Sequence, residues 1–192
     1  MLSKSHMQDF ILDLLMYHLP VNYEFHNYKH TMYVQEKAVE IGKQENCNVE
    51  ELELLSIAAL WHDIGYINIY DNHEEESCRL AQKYLPKYGV NDNDISKICG
   101  MIRATKIPQL PQNNLEAILA DADLEYLATD QAEKIAHELF LERAHLDSSL
   151  LNEDWNKVQI VFLKDHHYFT NFCIENKESA KAKYLAFLMA TQ

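Results

Sequence analysis

Glycine and proline are scarce in this chain, four of each in 192 residues. Average usage would supply roughly 12% of the two together. Sandwiches and barrels consume many tight turns, so the shortage disfavours an all-β fold. Basic residues are also few, 17 against 30 acidic ones, for a net charge of −13 with histidine neutral. No Lys/Arg cluster is present of the kind that drives counterion release from a polyanion, which argues against a nucleic-acid polymer or an anionic membrane as partner. The four cysteines, Cys47, Cys78, Cys99 and Cys173, form no CxxC pair and fit no zinc-finger spacing; they read as free thiols of a reducing compartment. No run approaches the ~20 apolar residues of a membrane span. Gln8, Asp9 and Asp13 interrupt the apolar N-terminal stretch before a signal-peptide core can form. The expected location is the cytoplasm.

What the chain does have is helical periodicity, 47% apolar residues and ten histidines. Apolar positions spaced three and four apart predict helices over 5–18, 26–45, 49–62, 72–85, 92–103, 115–128, 131–145, 153–168 and 178–190. Gly65 is the expected stop of the third. Asn72 is the expected cap of the fourth, with Glu75 completing a capping-box arrangement. The segment 105–114 carries two of the four prolines and reads as a loop. Neither a repeat nor a composition shift marks a linker. The expectation is an all-α, single-domain bundle over 1–192, its motif core at about 23–170 and the helix at 178–190 packed on it.

Three short motifs carry chemistry. His26 and His30 stand four residues apart above Val34, Ala38 and Ile41, so that both imidazoles of one helix face aim at the interior. Buried imidazoles need a metal or an acid as partner. In Trp61-His62-Asp63-Ile64-Gly65-Tyr66, neighbouring side chains diverge by ~100° and reach one ion only where the helix is ending. In Ala120-Asp121-Ala122-Asp123, two acids interrupt an apolar stripe, and helical angle alone does not choose between them. Two imidazoles and two carboxylates form an N2O2 set suited to one divalent transition metal (Mn, Fe, Co, Ni or Zn), with positions left for water and substrate.

The order His, His-Asp, Asp on successive helices resembles the HD-domain superfamily of metal-dependent phosphohydrolases. The likeness runs through FHNYKHTMYV, ALWHDIGY, NHEEES, ATKIPQLP, ILADADLEYL and FLKDHHYFT, and looks like the small bacterial branch of predicted HD phosphohydrolases. It implies His30, His62, Asp63 and Asp121 as metal ligands, since the last ligand usually follows an apolar-Ala pair, with Asp123 as the alternative. It places His26 where some relatives protonate the leaving group, and gives Asp63 a part in orienting the attacking water. Asn27, His73, Arg103 and Lys106 are candidates for substrate contact. His73 could serve a second metal, but Lys106 stands where a further ligand would be expected, so one ion is favoured. Glu74 to Glu76 read as a solvated helix face, and His166, His167, Tyr168 and Thr170 as further candidates. The implied activity is hydrolysis of a phosphate ester or anhydride of a small molecule, a nucleotide by expectation. The alternatives are a non-hydrolytic metal-dependent nucleotide-binding regulator and, further off, a di-iron oxygenase.

Overall fold

The computed structural model describes residues 4–152 and 154–191 and is all-α. Its α-helices are α1 (Lys4–His18), α2 (Tyr28–Gln44), α3 (Val49–Trp61), α4 (His73–Tyr84), α5 (Asp92–Ala104), α6 (Asn114–Asp123), α7 (Ala132–Leu146), α8 (Trp155–Asp165), α9 (Asn171–Asn176) and α10 (Glu178–Ala190). Short polar side chains start many of them. Asn48 and Glu51 form a reciprocal capping box at α3, and Asn27, Asn91, Asn113, Asp154 and Thr170 accept from the first turns of α2, α5, α6, α8 and α9.

Helices α2, α3, α5 and α6 pack together, with α4 on α5. Their shared core includes Val34, Ala38, Ile41, Leu55, Ile102 and Leu119, all at most 1% exposed. A second apolar cluster joins Phe25, Leu124, Tyr126 and Leu127 to Ile160, Leu163 and Leu188 of α8 and α10. The thiols are free, three of them buried and Cys47 half-buried.

Several local expectations are corrected. Helix α2 begins at Tyr28, two residues after His26, because Asn27 takes an extended conformation and caps it. The helix expected over 115–128 stops at Asp123 and tightens into a 3-10 turn at Glu125–Ala128. The one expected over 153–168 runs from Trp155 to Asp165, residue 153 lying outside the described residues. Asn72 makes no side-chain cap; it sits in the left-handed region at φ 64° and accepts a hydrogen bond from Lys106 Nζ. Gly65 does not end α3, which closes at Trp61; it lies inside the 3-10 turn Ile64–Ile67. A Cβ there would stand 2.1 Å from the His73 carbonyl oxygen, so glycine permits that turn to press against the start of α4.

Candidate metal centre

His62 sits at the end of α3, where the backbone leaves the helix, and its side chain is fully buried. Its Nδ1 donates to the Ala59 carbonyl at 2.7 Å. That bond fixes the tautomer and leaves the Nε2 lone pair facing inward, the arrangement of a metal-ligating imidazole. Nε2 of His30, from the first turn of α2, lies 3.4 Å away. Asp123, the last residue of α6, brings Oδ1 to 3.0 Å from His30 Nε2 and 3.6 Å from His62 Nε2. The three donor atoms lie within 4.8 Å of one another.

Asp63 borders the same point. Its Oδ2 is 3.2 Å from His62 Nε2 and 3.5 Å from His30 Nε2. Neither contact is aligned as a hydrogen bond, and this buried oxygen has no partner among the described residues. Two lone pairs and two carboxylates crowded without donors between them are what a cation satisfies. The electrostatics agree. Burial disfavours charge on His62, yet Asp63 and Asp123 outweigh it and hold the imidazole well above its ordinary range. Asp63 and Asp123 are held low by the facing imidazoles, although burial opposes it. The residues fit a small divalent ion.

Asp121 is not part of this group, and the expectation that it ligates is corrected. Two residues before Asp123 on α6 it faces ~200° away. It is fully buried and accepts from Phe169 N at 2.9 Å, Thr170 N at 2.8 Å and Thr170 Oγ1 at 2.7 Å. Burial raises its pKa despite those donors. Asp121 therefore anchors the start of α9, and Thr170 serves that tether. His166 and Tyr168 belong to the same structural segment, with Lys181 Nζ donating to His166 Nδ1 at 3.1 Å.

His26 lies outside α2, so it does not share a helical face with His30. The turn before the helix still brings the two rings to 5.9 Å. What holds His26 is Glu142 of α7, fully buried, which accepts from Phe25 N at 3.0 Å, from His26 N at 2.9 Å and from His26 Nδ1. His26 Nε2 then faces the Tyr66 hydroxyl at 3.2 Å. Tyr66 lies between two imidazoles, 4.2 Å from the His26 ring centroid and 3.8 Å from that of His73. Glu142 and Tyr66 were not singled out from the sequence. Glu142 sits in an ordinary amphipathic helix over a hundred residues from its partner, and only its burial reveals it.

His73 Nε2 is 3.4 Å from the other Asp63 oxygen, Oδ1, and 3.7 Å from Glu74 Oε1. Glu74 corrects the solvated-face reading: it is buried, and its Oε2 has no partner. Asn27 is a helix cap rather than a cavity residue. Arg103 pairs with Glu75 on the exposed side of α4 and α5 and does not line the cavity. Lys106 does line it, as does Arg143. That cavity, about 540 Å³, opens from Asp63, Asp123, His26 and His73 toward α7, α8 and α10.

A crystal structure of a predicted HD superfamily hydrolase from an uncultured Thermotogales bacterium is similar to this fold, with a TM-score of 0.62 and 22% identity over 95% of this chain and 91% of that one. Among curated proteins, none matches. The sequence matches the HD domain family over residues 27–126, which takes in His30, His62, Asp63 and Asp123. That match spans just over half of the 192 residues, and the chain belongs to the HD-domain family.

Proposed function

We propose that this chain is a metal-dependent phosphohydrolase acting on a phosphate ester or anhydride of a small molecule. The observation that carries the reading is the convergence of His30, His62 and Asp123, with His62 locked by Ala59 in the tautomer that offers a lone pair. His30, His62, Asp63 and Asp123 would hold one divalent transition ion. Such an ion supplies an acidified water and neutralises charge growing on phosphoryl oxygen.

The rest of the work falls to the protein. Asp63 Oδ2, buried and without a donor, is placed to accept a hydrogen bond from the attacking water and fix its direction. His26 holds its Nδ1 proton on Glu142, so its Nε2 is the nitrogen that delivers a proton to the leaving oxygen. Glu142 stabilises the imidazolium this requires and holds the ring plane. Lys106 and Arg143 bring positive charge to a cavity otherwise bordered by acids, which suits them to the non-reacting phosphoryl oxygens.

The test is elemental analysis of freshly purified protein, followed by phosphate release from a panel of phosphate esters and anhydrides in the metal found. About one ion per chain and turnover lost in His62→Ala support the reading. Undiminished phosphate release by a metal-free His62→Ala protein overturns it.

A further inference from the structure

The cavity beside the metal centre has two chemically different walls. All the acids that line it, Asp63, Asp71, Glu74 and Asp123, come from within residues 27–126. The opposite wall is built by α7, α8 and α10, which lie beyond the family match. It presents aliphatic and aromatic side chains, among them Leu139, Val158, Phe162 and Tyr184, and one formal charge, Arg143. Water in such a chamber is readily displaced by an apolar body.

Polar groups in this wall are few. Gln159 Oε1 is taken by the Tyr184 hydroxyl at 2.6 Å. Trp155 lines the cavity, stands 5.8 Å from the Arg143 guanidinium and carries a buried Nε1 donor with no acceptor among the described residues. A buried N–H of this kind lacks a partner that a ligand can provide.

Resting on the hydrolase reading, we propose that α7, α8 and α10 form a specificity chamber for the leaving group, and that the substrate is a phosphomonoester of a flat, uncharged aromatic body bearing a hydrogen-bond acceptor for Trp155 Nε1. Two cations, Lys106 and Arg143, against four acids suit a single phosphoryl group and disfavour a polyphosphate tail. The large apolar wall disfavours small polyol phosphates, which would leave it unfilled. Both a nucleoside monophosphate and a simple heteroaryl phosphate have the required chemistry.

The experiment compares 6-quinolinyl phosphate, 2-naphthyl phosphate, adenosine monophosphate, glycerol phosphate and tripolyphosphate with the Mn(II)-loaded full chain. Quinolinyl phosphate offers a ring nitrogen that naphthyl phosphate lacks. Its KM is expected to be about tenfold lower, and Trp155→Phe, which keeps a ring and removes the N–H, should erase that advantage while kcat stays within about twofold. Whichever of quinolinyl phosphate and adenosine monophosphate loses more in the variant identifies the source of the aromatic body. Equal kcat/KM for glycerol phosphate or tripolyphosphate, or a KM ratio untouched in Trp155→Phe, overturns the proposal. A separate arm measures 6-hydroxyquinoline binding by calorimetry, without turnover. If no substrate is hydrolysed, binding that weakens in Trp155→Phe sustains the chamber while the hydrolase reading fails, and absence of such binding sinks the chamber.

Discussion

Glu142 and His26 illustrate how much a single buried pair can define. A carboxylate with no exposure is costly unless its lone pairs are filled, and three donors from Phe25 and His26 fill them. The result is an imidazole with one nitrogen committed and one free. If Nε2 protonates the leaving oxygen, His26→Ala should lower kcat by ~10²–10⁴-fold for alkyl phosphates. Glu142→Gln should lower it in the same direction, with metal content unchanged in both. For 4-nitrophenyl phosphate, whose leaving oxygen departs unprotonated, the loss should nearly vanish; an equal loss on both substrates assigns His26 to binding instead. The two acids of α6 separate by a second measurement. Asp123→Ala should empty the metal site, whereas Asp121→Ala should keep the metal and lose about 2–4 kcal/mol of stability, because three buried donors lose their acceptor. Metal retained in Asp123→Ala would remove it from the ligand set.

At the scale of elements, the site depends on where helices stop. His62 and Asp63 reach one point because α3 ends there, Asp123 because α6 ends there, and His30 because α2 has just begun. The close seat of the 3-10 turn Ile64–Ile67 on α4 keeps Asp63 and His73 together. Gly65→Ala would push a Cβ into the backbone at His73 and Ser77, where no side chain can yield. The expected cost is about 2–4 kcal/mol with weakened metal retention, read by thermal melting and elemental analysis. Periodicity made most of these helices legible, and the motif HD made His62 and Asp63 legible. The choice of Asp123 was not, because both acids border the same stripe and the decision lies with Thr170, far along the chain. Nor was α9, whose six residues are too short to show a period.

Across the whole molecule, the family region and the C-terminal helices are fastened by the segment 166–172, and that fastening is sensitive to acid. His166 lies between α8 and α10, its Nδ1 accepting from Lys181 Nζ and its Nε2 buried without a partner. Burial, with the Lys181 charge beside it, pulls its pKa down from 6.5 to about 4. A group depressed in the folded state favours folding above its unfolded pKa. As pH falls from about 6.5 to about 4 the unfolded chain gains a proton that the folded chain refuses, and that stability is lost. The shift corresponds to roughly 2–3 kcal/mol. His73, raised by Asp63 against the pull of burial, and His62 run the opposite way in the metal-free protein, since their protonated forms are favoured on folding. Metal-loaded protein and a variant therefore isolate the effect. The urea midpoint of His166→Gln should fall less than that of the wild type between pH 7.5 and pH 4.5, its amide oxygen accepting from Lys181 without titrating. Parallel decline of the two proteins would mean that His166 is protonated in the folded state already and that acid acts elsewhere.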